Sequence, residues 1–140
     1  MTVTYDSRNY RTYDDLVLSE DKSEYGLARK IVSVTVESDS QIGDVLIAVG
    51  ANWERIDNST NPPVAGTKLI VLADSTVADK ISTPGNYDLL VLEGGVDVIL
   101  RDGALQYGDC NAANIAIAKA QLLDQRMFLT VGDSRKDQVS

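Results

Sequence analysis

At 140 residues with 44% apolar side chains, the chain is long enough for one domain plus an arm or tail and too short for two ordinary domains. Its 13 basic and 21 acidic residues leave a net charge of −8, which repels phosphate backbones, so neither nucleic acid nor an anionic membrane is expected as a partner. Histidine is absent and cysteine occurs once; this removes Ser-His-Asp and Cys-His nucleophile systems, an internal disulfide and any thiol-cluster metal site. No apolar run approaches the roughly 20 residues of a membrane-spanning helix. The N-terminus lacks a secretory pattern, so synthesis in a reducing cytoplasm is expected.

Residues 1–24 carry six acidic and three basic side chains, one short apolar run at Leu16, Val17 and Leu18, and no helical periodicity. They read as an extended arm, ordered on a partner. Tyr5, Arg8, Tyr10, Arg11 and Tyr13 concentrate the residue types that anchor interfaces, and an extended segment of this kind can add a strand to another protein's sheet edge.

From Gly26 onward the pattern is that of strands. Ile31, Val32, Val34 and Val36 alternate with Ser33, Thr35 and Glu37, which predicts a half-buried strand. The run Val45 to Val49 predicts a strand covered on both faces, and Gly50-Ala51-Asn52 turns it into a hairpin with Trp53 to Ile56. Residues 57–66 are a loop of turn and breaker residues, Lys68 to Ala73 a further strand, and residues 74–86 a second long loop. Strands at Tyr87 to Leu92 and Val96 to Leu100 flank Glu93-Gly94-Gly95, either as a tight hairpin or as one bent strand with a glycine bulge.

One helix is predicted between Asn111 and Phe128, capped by Asp109 or Asn111. Its buried stripe is read as Ala116, Ala120, Leu123 and Met127, with Ile115, Ala118 and Leu122 beside it. Such a helix needs a sheet to cover. Met127 to Val131 closes the domain as a short strand, and a polar tail follows.

Chemistry is sparse. Cys110 has no imidazole to activate it and reads as a small residue near a helix start, although a helix N-terminus can lower a thiol pKa. Glu37, Asp39 and Asp44 form an acidic stretch without calcium-loop spacing. Asp97, Asp102 and Asp109 are the carboxylates from which a hydrolytic site could be built. Neither a metal nor a cofactor is expected.

Three stretches carry a resemblance. Gln41-Ile42-Gly43-Asp44-Val45-Leu46 precedes Asn52-Trp53-Glu54-Arg55-Ile56; Tyr87 to Val96 is an apolar strand interrupted by glycine; Ala104-Leu105-Gln106-Tyr107-Gly108 leads to a helix and the closing Met127-Phe128-Leu129-Thr130-Val131. In this order they resemble the head decoration proteins of tailed phages, the lambda-like proteins that stabilise capsids, over about three quarters of the chain.

The resemblance implies a mainly β (α+β) fold: a small β-barrel or β-tulip-like domain with one C-terminal amphipathic helix and an extended N-terminal arm. It divides the chain into a capsid-binding arm (1–24), a decoration domain (25–133) and a polar tail (134–140). It further implies a non-enzymatic homotrimer on the outer surface of the virion, holding the major capsid protein at three-fold and quasi-three-fold sites of the expanded head. Trp53, Leu123 and Met127 would support the core and the trimer. A tail- or fibre-associated virion module is the alternative.

Overall fold

β-Branched and aliphatic residues alternate along the strands of a computed structural model, which describes residues 16–20, 29–95 and 97–130. In chain order these form β1 (Val17–Glu20), β2 (Arg29–Val36), β3 (Val45–Val49), β4 (Asn52–Arg55), β5 (Leu69–Leu72), α1 (Val77–Lys80), β6 (Gly85–Leu92) and β7 (Val98–Arg101). A 3-10 turn (Asp102–Ala104), α2 (Ala112–Asp124) and β8 (Met127–Thr130) follow. The protein is mainly β, as expected, with a small barrel and one substantial helix.

The barrel is closed in the order β2-β4-β3-β5-β6, with β6 returning to β2. That closing seam is the longest, antiparallel from Arg29 opposite Leu92 to Val36 opposite Gly85. β3 and β4 form the expected hairpin, with Val49 opposite Asn52. A three-stranded sheet, β1-β7-β8, makes a second layer.

Strand periodicity divides the core in two. Along β5, Ile70 and Leu72 point into the barrel with Val34, Leu46, Leu89 and Val91, while Leu69 and Val71 point outward. The outward residues join Val45 and Ile47 of β3 in a core shared with Val98, Leu100, Leu122 and Met127. Being covered on both faces, β5 reads as an unbroken apolar run rather than an alternating one. β3 does so only in part, because Ala48 and Val49 are exposed at the hairpin end.

The folded domain begins further upstream than the composition suggests. Leu16 is fully buried in the outer core, and β1 pairs with β7, Val17 opposite Leu100. A short apolar run within polar surroundings was enough to form an edge strand. Residues 16–20 therefore belong to the domain; Tyr5, Arg8, Tyr10, Arg11 and Tyr13 lie outside the described residues.

The glycine pair after β6 forms neither a hairpin nor a bulged strand. β6 pairs with β2 and β5, whereas β7 pairs with β1 and β8, so Gly94-Gly95 carries the chain from barrel to second sheet. Gly94 has φ 78°, and a Cβ there would stand 2.1 Å from the Gln125 carbonyl oxygen, so only glycine fits this crossing. The second long loop, residues 74–86, also contains structure. α1 sends Val77 into the barrel's interior cluster, and β6 begins at Gly85.

Asn111 caps α2 by accepting a 2.9 Å bond from the Asn114 amide. The buried face is Ala118, Gln121 and Leu122, not the expected stripe: Ala116, Ala120 and Leu123 are exposed, Leu123 by 55%. Counting apolar residues misplaced the face because its inner side includes two glutamines. Gln125 accepts from the Leu69 amide (2.9 Å) and donates to the Leu69 carbonyl (2.5 Å), and Gln121 accepts from the Gly66 amide (3.0 Å). Met127 is fully buried, but on β8, and Trp53 is half-buried against the barrel's interior cluster.

Truncating Leu122 to alanine is expected to cost roughly 2–5 kcal/mol, whereas Leu123→Ala should stay within about 0.5 kcal/mol of wild type. Urea unfolding of the two variants checks the orientation of α2. Equal losses would mean that both faces of the helix are covered.

Candidate functional site

A polar groove of about 650 Å³ opens where the end of β2, the β2–β3 connection, β4, the following turn and the segment before α2 converge. Its walls carry Glu37, Asp39, Glu54, Asp57 and Asp109 around a single guanidinium, that of Arg55.

Local hydrogen bonding builds these walls. The Asp57 carboxylate accepts from the amides of Ser59, Thr60 and Asn61 at 3.1, 2.7 and 2.6 Å, winding part of the breaker-rich segment into a tight turn. Asn58 ties that turn to the start of α2: its side-chain oxygen accepts from the Asn111 amide and from Asn114 Nδ2, each at 2.9 Å. The Asn58 amide donates to Asp109 (3.1 Å). Asn58 thus has a structural use.

Arg55 spans the groove. Nη2 donates to both Asp39 carboxylate oxygens at 3.0 and 3.1 Å and to Glu37 Oε2 at 3.2 Å. Asn61 Nδ2 donates to Glu54 (3.3 Å) on the neighbouring wall.

Beneath lies Asp44. Gly43 adopts φ 94° and lies so close to the 3-10 turn that a Cβ would fall 2.0 Å from the Ala104 carbonyl oxygen, which lets the chain pair with Gln106 at Asp44. The Asp44 carbonyl accepts from the Leu72 amide (2.9 Å) and its Oδ2 accepts from the Gln41 amide (3.1 Å). Oδ1 is buried and makes no hydrogen bond. Burial pushes the Asp44 carboxyl up to about 7, against the pull of Arg55 and the Gln41 amide; Asp39 and Glu37 add to the upward push.

The acidic stretch Glu37, Asp39 and Asp44 thus divides into two rim carboxylates and one buried one. Sequence reading placed Arg55 in the hairpin strand and gave it no part in a site. The available signal was Asp44 itself, an acid between a glycine and the most apolar run of the chain.

The three carboxylates considered for hydrolysis go to different neighbours. Asp97 accepts from Arg126 Nε (2.8 Å), Asp102 from Lys119 Nζ and the Tyr107 hydroxyl (each 3.1 Å), and Asp109 from Asn58. Burial raises the Cys110 thiol above its usual range, with Asp109 and Asp57 adding to the effect, so the helix start does not activate it. Among the described residues no His, Cys, Asp and Glu cluster is arranged to hold a metal, and no helix is long and apolar enough to cross a membrane.

Because the folded pKa of Asp44 lies above its ordinary value near 4, the native state binds the proton more tightly than the unfolded chain. Its contribution to stability is therefore full below about pH 4 and is lost as the pH rises through about 7. Asp44→Asn should remove this dependence, gaining roughly 2–3 kcal/mol relative to wild type between pH 5 and pH 8. Denaturant midpoints at the two pH values measure it, and parallel pH profiles would refute it. No family model, curated protein or solved structure matches the chain.

Proposed function

We propose that this protein is a phage head decoration protein, binding the expanded capsid as a homotrimer and reinforcing it against the pressure of the packaged genome. The observation that carries the reading is the order of elements. A small barrel is followed by one helix and a final strand, the order implied by the sequence resemblance.

The surface supports a role in assembly. Ile31, Val64 and Leu123 are exposed by 60, 52 and 55%. A shallow depression beside α2 is lined by small and apolar residues, among them Ala116, Ile117 and Ala120, together with Gln121 and Asp124. Exposed apolar side chains of this size are a feature of contact sites when they cluster. Trimerisation multiplies weak arm contacts through effective concentration, so individually modest sites can resist a large outward force together.

The revised arm boundary gives a discriminating test. Removing residues 1–15 should leave a folded trimer by light scattering and circular dichroism but abolish or strongly weaken co-sedimentation with expanded heads. Removing residues 1–24 should also lower the thermal midpoint, since β1 and Leu16 leave the outer core. A stable monomer that ignores mature heads would overturn the proposal.

A further inference from the structure

Barrel and second layer meet around one buried carboxylic acid. The chain on either side of Asp44 is bonded to two other segments. Gly43 donates to the Leu72 carbonyl (2.8 Å) and the Asp44 carbonyl accepts from the Leu72 amide (2.9 Å), which ties this stretch to β5. Val45 donates to the Gln106 carbonyl (3.0 Å) and the Gly43 carbonyl accepts from the Gln106 amide (2.9 Å), which ties it to the segment between β7 and α2. The pairing with Gln106 is an isolated bridge, whereas the β2–β6 seam runs over eight residue pairs. The junction is therefore the thinner of the two connections.

Asp44 itself is 1% exposed, and its carboxyl holds one bond, from the Gln41 amide to Oδ2, with Oδ1 left bare. A carboxylate so poorly solvated is costly to bury, so the closed junction favours the neutral acid. Water is not far away. Gln41 and Gln106 both line the polar groove, and both are bonded to the stretch around Asp44, one through its carboxyl and the other through its backbone.

We propose that Asp44 is a pH-operated latch between barrel and second layer: loss of its proton favours parting of Gly43–Val45 from Gln106, which lets water reach the carboxylate while both cores stay folded. The latch is independent of the decoration reading.

Its direction follows from linkage. Burial holds the carboxyl at about 7 in the closed form, against 3.8 for an ordinary aspartate in water. Opening is therefore rarest below about pH 4, becomes more frequent as the pH rises between the two values, and levels off above about 7. The charged groups acting on Asp44 are Arg55 of β4, which pulls its value down, and Asp39 and Glu37 of the β2–β3 connection, which push it up. On β5 and the segment before α2 its bonded neighbours are Leu72 and Gln106, neither of which titrates. Asp102 of the 3-10 turn is paired with Lys119 and the Tyr107 hydroxyl.

The test is native-state amide hydrogen exchange of the full chain at pH 5, 6, 7 and 8, with intrinsic exchange rates divided out. The Gly43, Val45, Leu72 and Gln106 amides should open more than about tenfold more often than those of the β2–β6 seam at every pH. Their opening should increase by roughly fifty- to a hundredfold from pH 5 to pH 8, most of it below pH 7. Asp44→Asn should hold the junction's opening constant across the series. Arg55→Gln should move the levelling-off to higher pH and Glu37→Gln to lower pH, opposite displacements that a merely loosened fold does not produce. Junction amides that exchange only at the rate of the seam, a pH dependence that persists in Asp44→Asn, or two charge variants displaced in the same direction would overturn the latch.

Discussion

Strand β5 has to be covered on both faces, and the rest of the architecture answers that requirement. Leu69, Ile70, Val71 and Leu72 are all buried. A lone five-stranded barrel could shelter only Ile70 and Leu72, leaving Leu69 and Val71, with Val45 and Ile47 beside them, in water. At about 25 cal/mol per Å² of apolar surface, such a patch is a large liability for a small domain. The sheet β1-β7-β8 and helix α2 remove it. That second layer explains why so short a strand as β1 belongs to the fold and why Met127, just beyond the helix, is fully buried.

Apolar contact alone does not set how the second layer sits on the barrel. Direction comes from Gln125, whose amide bonds both backbone groups of Leu69 and donates to the Glu93 carbonyl (3.3 Å). Gln121 supports it, donating to Gln125 Oε1 (2.8 Å) and accepting from Gly66. A primary amide matches the donor and acceptor of a strand residue, so Gln125 stands in for a missing ladder partner at the start of β5. The close approach of Gly94 to the Gln125 carbonyl fixes the same junction from the other side. After it, Arg126 takes the left-handed conformation (φ 68°) that ends the helix, and its side chain bonds Asp97.

This explains what could be read in advance. Strands and hairpin were legible because β-branched alternation and the Gly50 turn are local signals, and the Asn111 cap because a short polar side chain before an apolar run has one common use. The face of α2 was not legible. Alanine and leucine occur all round it, and what turns Ala118 and Leu122 inward is a pair of glutamines bonding to residues more than 50 positions away. The glycine crossing was missed for a related reason: Gly94-Gly95 marks a special backbone, but only the pairing of β6 and β7 with different partners says which. In the groove, Asn58 read as a loop residue because its role depends on the start of α2.

Charge distribution then separates two kinds of surface. Along the depression beside α2, Asp124 is the only charged residue, whereas the groove collects five carboxylates. Copies of a chain with net charge −8 repel one another wherever their acidic surfaces meet, and the repulsion is weakest where charge is absent. On the proposed reading, the sparsely charged side of α2 is the better surface for self-association, and the acidic groove the better one for a partner of opposite charge.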